Sequence, residues 1–255
     1  MQNVINPVQD GSVPWFRKWF NTTWYHRLYM HRSDEEAAAF IDALLGELAL
    51  PAAATVLDLG CGNGRHCRQV AKSFPVTGLD IAPASIREAR KKAGRNMQFY
   101  VHDMRLPFGV ARYDCILNLF TSFGYFETRS EHLTILNNMA SALKWRGTLV
   151  LDYLNIYPAE KNMVEQEKKE IDGIVYDLKR WADDAYFYKE IRVNDGGITN
   201  PPVYTEKVAK FNLAAFNNMF AICGLKMENV YGNYRLDTFN PEQSPRLIMV
   251  AKKIN

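Results

Sequence analysis

A doubly wound α/β fold, with a mostly parallel sheet covered by helices on both faces, is what this 255-residue chain predicts. Three observations predict it. Short apolar runs alternate with helical patterns through roughly the first 155 residues, which is the mark of strands buried on both faces. One run leads into an acidic residue and then three glycines at alternate positions, Asp58-Leu-Gly60-Cys-Gly62-Asn-Gly64. A second run ends on another acidic residue, Asp80, 22 positions further on.

Taken in order, the first thirty residues are rich in aromatics, among them Trp15, Phe16, Trp19, Phe20, Trp24, Tyr25 and Tyr29. They are too few to form a domain and must pack on something else. Ser33 and Glu36 have the spacing of a capping box, in which serine caps free N–H groups and glutamate reaches back. Phe40, Ile41, Leu44, Leu45 and Leu48 then repeat at helical spacing until Pro51. Residues 55–59 read as a strand, followed after the glycine turn by a helix to about residue 74. A second strand covers 76–80 and a helix 83–93, with Pro83 near its start and Gly94 past its end. Strands at 97–101 and 113–119, a helix at 130–145 closed by Gly147, and a strand at 148–153 complete the alternation.

The rhythm changes after Asn155. Residues 174–178 and 186–191 alternate as strands do, and Asn194-Asp-Gly-Gly is a strong turn signal. Antiparallel hairpins added at one edge or end of the sheet are expected here. A helix at 211–223, stopped by Gly224, and strands at 225–231 and 246–252 finish the chain. With no linker between these pieces, one domain is expected.

Composition narrows the classes. A content of 47 % hydrophobic and 23 % charged residues is that of an ordinary globular protein. The net charge of +3 is too small to call for a polyanionic partner. The basic cluster Arg87, Arg90, Lys91, Lys92 and Arg95 reads as the solvated face of one helix, so no nucleic acid is expected. The most apolar stretch, 48–57, is too short for a bilayer and holds Pro51; the first ten residues lack a signal-peptide pattern. No membrane contact and a cytoplasmic location are therefore expected, in a monomer or homodimer. Cys61, Cys67, Cys115 and Cys223 form no CxxC pair and read as reduced, mostly buried thiols, with no metal site.

The glycine run is where chemistry enters. Glycine accepts positive φ and lets a ligand approach the backbone closely, and ligands of open α/β sheets bind beyond the carboxyl ends of the strands. Asp80, at the end of the second strand, is placed to accept both hydroxyls of a ribose. A dinucleotide fingerprint would need glycine at 65, where Arg65 stands, and a pyrophosphate would sit badly beside Asp58. These features disfavour an NAD-dependent oxidoreductase. S-adenosylmethionine carries no phosphate, and its sulfonium and ammonium suit an acidic neighbour.

Joined together, these segments resemble the class I S-adenosylmethionine-dependent methyltransferases. Val56-Leu-Asp-Leu-Gly-Cys-Gly-Asn-Gly-Arg65 resembles that family's first motif and Gly78-Leu-Asp80-Ile-Ala-Pro83 its second. His102-Asp103-Met104-Arg105 resembles the segment that contacts adenine, and Tyr113-Asp114 through Asn118-Leu119-Phe120 the strand-four motif. The resemblance runs over residues 33–155 and, less specifically, Ser244 to Lys252. It implies a Rossmann-like seven-stranded sheet whose last strand is antiparallel. It also implies a division into an N-terminal helical lid (1–50), a cofactor-binding core (51–155), a substrate-side excursion (156–210) and a C-terminal helix and strands (211–255). Carried over residue by residue, Asp58, Gly60, Gly62 and Gly64 approach the methionine part of S-adenosylmethionine, and Asp80 the ribose. Asp103 accepts from the adenine amino group, Ile81 and Met104 pack on the ring, and Asn118 and Leu119 face the cofactor. Tyr29 and Arg32 resemble lid residues of small-molecule members, where an arginine pairs with the cofactor carboxylate. Without the resemblance, Asp103 can equally cap a turn, Ile81 and Met104 can be core, and Arg32 can lie on the surface.

The activity implied is in-line methyl transfer to a nitrogen or oxygen of a small molecule, without a metal. Phe120, Phe123 and Tyr125, which follow strand four, are expected to border the substrate, closing over an amine cation if one is present. Tyr125, His132, Tyr153 and Asp152 are the candidates for a general base, and nothing in the sequence chooses among them. RNA- or protein-directed methyl transfer, or non-catalytic binding of the cofactor, are the other readings.

Overall fold

The computed structural model describes residues 13–29, 33–197 and 199–254. The expected strands appear as β1 (Val56–Leu59), β2 (Val76–Asp80), β3 (Met97–Val101), β4 (Tyr113–Asn118) and β5 (Leu143–Leu154). After them come β6 (Gln166–Ile171), β7 (Ile174–Ala182), β8 (Tyr186–Asn194) and β9 (Val203–Ala209), then β10 (Leu225–Tyr231) and β11 (Arg246–Lys253). One sheet has seven strands in the order β10-β11-β5-β4-β1-β2-β3, parallel throughout except that β11 runs antiparallel to both its neighbours. This is the doubly wound sheet expected, antiparallel last strand included.

The helices are α1 (Trp15–Trp19), α2 (Thr23–Leu28), α3 (Asp34–Leu48), α4 (Arg65–Val70), α5 (Pro83–Lys91), α6 (Arg129–Ala142), α7 (Ile156–Lys161) and α8 (Leu213–Ile222). Phe40, Ile41 and Leu44 of α3, Cys67 and Val70 of α4 and Ile86 and Ala89 of α5 pack on one face of the sheet. On the other face, Ile135, Leu136 and Met139 of α6 meet Phe216, Met219 and Phe220 of α8. The strands between are apolar on both sides because both faces are covered. All four cysteines are buried and unpaired, as expected.

Several boundaries differ from the sequence reading. The helix expected to reach residue 145 ends at Ala142. Leu143 turns extended (φ −69°, ψ 138°) and pairs with Tyr113, so β5 starts five residues earlier than expected. A strand pairing outweighs a weak helical pattern there. The helix after the glycine turn stops at Val70 rather than near residue 74. Ser33 accepts the N–H of Glu36, but its hydroxyl donates to Glu35; the fully reciprocal capping box is that of Thr128 and Glu131 on α6.

The hairpins after Asn155 do not extend an edge of the main sheet. They make a separate antiparallel sheet in the order β6-β7-β8-β9; β6, β9 and the short α7 that precedes the sheet are not expected from the sequence. Part of the N-terminal aromatic run packs on this second sheet, while Phe16 joins the main core beside Phe126. Trp19 and Leu28 join Ile171, Ile174, Tyr176, Leu178, Ile191 and Val193 in a core of their own. The two sheets are tied through the segment after β4: Ala209 donates to the Gly124 carbonyl (2.9 Å), and the Tyr153 hydroxyl donates to the Ala209 carbonyl. Among the described residues, no helix is long and apolar enough to cross a membrane.

The Thr128 cap gives a direct check. Thr128→Ala should lower unfolding free energy by about 1 kcal/mol, measured by urea denaturation; an unchanged midpoint would mean that the box adds nothing to α6.

Candidate functional site

The carboxyl ends of β1, β2 and β4 open into a cavity of about 1110 Å³. Its floor is the turn between β1 and α4. Gly60, Gly62 and Gly64 all have left-handed φ, +80°, +55° and +77°, which other residues adopt only at a cost. The three differ in their surroundings. A Cβ on Gly60 would strike Ser122 at 2.6 Å, and one on Gly64 would strike the Phe99 ring at 2.8 Å. A Cβ on Gly62 would meet nothing within 4 Å. Gly62 is therefore the open position of the turn; Gly60 also lines the cavity while packing on Ser122, and Gly64, expected at the cofactor, is not among the lining residues because it packs on Phe99.

Asp80 clamps this turn. Its Oδ2 accepts the Gly62 N–H and its Oδ1 the Ala82 N–H, both at 2.8 Å, and the Ile81 N–H adds to these donors, while the carboxylate lines the cavity. Burial pushes the Asp80 carboxyl up, and these backbone donors pull it back. Asp58 lies beneath the turn and is not among the lining residues. It is 1 % exposed, accepts a bond from the Cys67 thiol at 3.2 Å, and is driven up to about 7 by burial, with Asp80 adding to the rise. Asp103 lines the cavity with Ile81 and Met104. Burial alone would raise its pKa, but Arg105, gripping both oxygens, and Arg17 reverse that and lower it. Together with the Arg105 N–H, four donors fall on Asp103.

Beyond β4 the chain takes an unusual path. Phe120 and Thr121 both have left-handed φ, +56° and +59°, which is costly for bulky and β-branched side chains. Leu119 and Phe120 line the cavity, while Asn118 lies just below and donates to the Leu59 carbonyl at 2.7 Å. Phe120 stacks on Tyr234, and the Arg65 guanidinium lies 4.0 Å from its ring centre. Tyr125 also lines the cavity and donates its hydroxyl proton to the Thr121 carbonyl.

The other residues expected near the substrate lie elsewhere. Phe123 is fully buried among His132, Phe211 and Phe216, drawn into the core between α6 and α8. His132 sits in that core with Nδ1 on the Thr128 carbonyl, and burial lowers its pKa. Tyr153 is buried on the Ala209 carbonyl, and burial raises its pKa well above the ordinary value. Asp152 is wholly buried in an ion pair with Arg246, at 2.7 Å. Of the four candidate bases, Tyr125 alone lines the cavity.

The N-terminal side closes the cavity with Phe20, Tyr25 and Tyr29. Arg32 lies outside the described residues. Tyr29 donates to Glu206 of β9 at 2.7 Å, as does the Trp19 indole, and Lys189 of β8 stands 3.6 Å from the same carboxylate. Glu206, Tyr234 and Arg246 line the cavity and were not singled out in the sequence. For Arg246 there is a signal: it and Asp152 each adjoin or interrupt an apolar run, residues 247–251 and 149–151, a pattern that buried pairing explains. Glu206 carried none, because β9 itself went unread.

Residues 56–147 match a family model described as a methyltransferase domain. A dTDP-3-amino-3,4,6-trideoxy-α-D-glucopyranose N,N-dimethyltransferase of Streptomyces venezuelae is 30 % identical over 131 residues, covering 50 % of this chain and 54 % of that protein. The chain spans about half the length of the curated relatives it matches. Among solved structures, an S-adenosylmethionine-dependent methyltransferase of Clostridium acetobutylicum superposes with a TM-score of 0.77 at 15 % identity, covering 91 % of this chain and 96 % of that one. CalS10, an amino pentose methyltransferase of Micromonospora echinaspora solved with S-adenosylmethionine bound, gives 0.66 at 24 % identity, with 91 % and 97 % covered.

Asp58 generates a pH prediction. Its carboxyl titrates near 3.8 when unfolded and near 7 in the folded core. Between those values the folded chain holds a proton that the unfolded chain has lost, so this residue's contribution to stability falls as pH rises from about 4 to 7. The stability of the natural chain relative to Asp58→Asn should therefore decline across that window in denaturant titrations. A difference that stays flat would show Asp58 ionised throughout.

Proposed function

We propose that this chain, residues 56–147 of which match a methyltransferase-domain family, is a class I S-adenosylmethionine-dependent methyltransferase that transfers the cofactor's methyl group to a nitrogen or oxygen of a small-molecule substrate. The observation that carries this reading is one cavity with two unlike ends. At one end stand the open Gly62 backbone and the Asp80 carboxylate; at the other, an aromatic wall with the Glu206 carboxylate. At about 1110 Å³ the space exceeds the range of roughly 300–1,000 Å³ usual for one small ligand. It is large enough for a nucleoside cofactor and a substrate together.

The residues fit S-adenosylmethionine. Asp80 offers an acceptor to each ribose hydroxyl, and Gly62 lets the methionine part lie against bare backbone. Ile81 and Met104 offer apolar surface to the adenine. Asp103 is the assignment under most tension: four donors already fill the acceptor sites of its carboxylate. Arg17, half exposed and 3.3 Å away, is the donor an adenine amino group would displace.

When bound, the cofactor supplies a methyl group on a sulfonium, a leaving group that needs no protonation. The chain's part is to hold the acceptor atom in line and keep water out, an effect worth roughly 7–11 kcal/mol in well-oriented reactions. Phe20, Tyr25, Tyr29 and Phe120 supply the wall that excludes water. Tyr125 stands at the cavity as the group able to orient the acceptor's proton. An amine suits this end best, since the ring faces attract a cation, while the Glu206 carboxylate there is already paired with Lys189. The S. venezuelae relative, which by its name dimethylates a sugar amine, supports the same substrate class.

Calorimetric titration with S-adenosylmethionine, S-adenosylhomocysteine and NAD⁺ tests the reading. Micromolar binding of the two adenosyl ligands without NAD⁺ is expected; binding of NAD⁺ alone would overturn it. Asp80→Ala, with folding checked by circular dichroism, should weaken S-adenosylhomocysteine binding by at least about tenfold, since each hydrogen bond to a charged group contributes roughly 1.5–3 kcal/mol. Unchanged affinity would remove Asp80 from the ribose site.

A further inference from the structure

Phe120 and Thr121 are adjacent non-glycine residues in the left-handed region, immediately after β4 and on the wall of the cavity. Such a conformation persists only where the surroundings over-determine it. Here they do so through one pair of buried charges. The Asp152 carboxylate accepts the Phe120 N–H at Oδ2 (2.8 Å), and the Asp152 carbonyl accepts the Thr121 N–H (3.0 Å). Arg246 grips Asp152 Oδ1 through Nε and Nη2, and the same Nη2 donates to the Thr121 hydroxyl at 2.8 Å. Tyr234 adds a longer contact to Asp152 Oδ2 at 3.3 Å and stacks on the Phe120 ring. The Phe120 N–H and the Thr121 hydroxyl are thus held by the ion pair itself, and the Thr121 N–H by the main chain of Asp152.

The turn so held bears directly on the glycine floor. Ser122, next in the chain, donates to the Leu119 carbonyl at 2.7 Å and packs so closely on Gly60 that a Cβ there would be struck. Tyr125 reaches back to the Thr121 carbonyl, and Arg65, the first residue of α4, lies over Phe120. A buried ion pair is a poor means of adding stability, because apolar residues of similar volume do as well or better. Cross-strand glue is therefore a weak reason for these charges.

We propose that the Asp152–Arg246 pair is a positioning device, which holds Phe120 and Thr121 left-handed so that the turn after β4 shapes the cavity against the glycine floor. Asp152, a candidate base in the sequence, then acts through the backbone and not on a substrate proton. The inference rests on the reading of the cavity as an adenosyl-ligand site, and S-adenosylhomocysteine is the probe.

The test uses the fact that glycine adopts positive φ at no steric cost. Arg246→Lys keeps the charge but loses the fork that joins Asp152 to Thr121. It should weaken S-adenosylhomocysteine binding by about tenfold, in line with the strain of one left-handed residue. In a Thr121→Gly background, where the backbone needs less holding, the same replacement should cost under about threefold. Equal losses in the two backgrounds, or no loss from Arg246→Lys in the natural one, would overturn the proposal. Should Arg246→Lys fail to fold, Thr121→Val against Thr121→Gly decides. Valine keeps the backbone strain and loses the hydroxyl, so it should bind the probe more weakly than glycine; equal or reversed affinities overturn the proposal. Failure of the natural chain to bind S-adenosylhomocysteine would instead sink the cofactor reading. Denaturant unfolding of the same four proteins without ligand then still tests the hold on the turn: Arg246→Lys should destabilise the natural chain more than Thr121→Gly.

Discussion

The five residues between β1 and α4 must turn the chain without side chains at three positions, and much of the molecule follows from that constraint. Two of the three glycines are required by what presses on them: Ser122 from the turn after β4 and Phe99 from β3. The third leaves open space at the end of the sheet. The Leu79 carbonyl accepts the N–H groups of Gly60 and Cys61, and Asp80 accepts that of Gly62, so the end of β2 fixes the turn of β1. The strand that pairs with β1 on this side of the sheet is also the one that sets the cavity floor.

Two aspartates buried in apolar strands show how environment separates roles. Asp58 in β1 has a thiol for a partner, and burial pushes its carboxyl up to about 7. Asp152 in β5 has a guanidinium and backbone N–H groups and serves as the anchor of the turn after β4. Both interrupt runs of leucine and valine and look alike in the sequence. What distinguishes them is whether the strand beside them carries a counter-charge: β11 brings Arg246, whereas β2 and β4 bring only apolar side chains and glycine to the register of Asp58.

The second sheet and the N-terminal helices form one structural unit although about 150 residues separate them in the chain. Trp19, buried without exposure, sits in their shared core, and Glu206 gathers Trp19 and Tyr29 from the N-terminal side and Lys189 from β8. Burial lowers the Lys189 pKa while Glu206 opposes the shift, as expected for a cation enclosed beside its partner. The unit faces the aromatic end of the cavity, so the part of the chain least regular in sequence borders the substrate end of the proposed site.

The local sequence by itself determined the strand–helix alternation of the main sheet and the glycine floor. Apolar strand cores, glycines at positive φ and an acidic residue at a strand end are short-range constraints, each visible within a few residues. It could not determine which side chains reach the cavity, because that depends on distant pairings. Phe123 and Tyr125 stand two apart on one aromatic segment, yet one is drawn into the core by α6 and α8 while the other faces the cavity. His132 and Tyr153 carry the right chemistry for a base and are buried on backbone carbonyls instead. Glu206 reaches the site only because β9 pairs with β8, and Arg246 because β11 lies against β5. Tertiary structure decided these because strand register and core packing join residues far apart in the chain, and no periodicity within a segment encodes the partner.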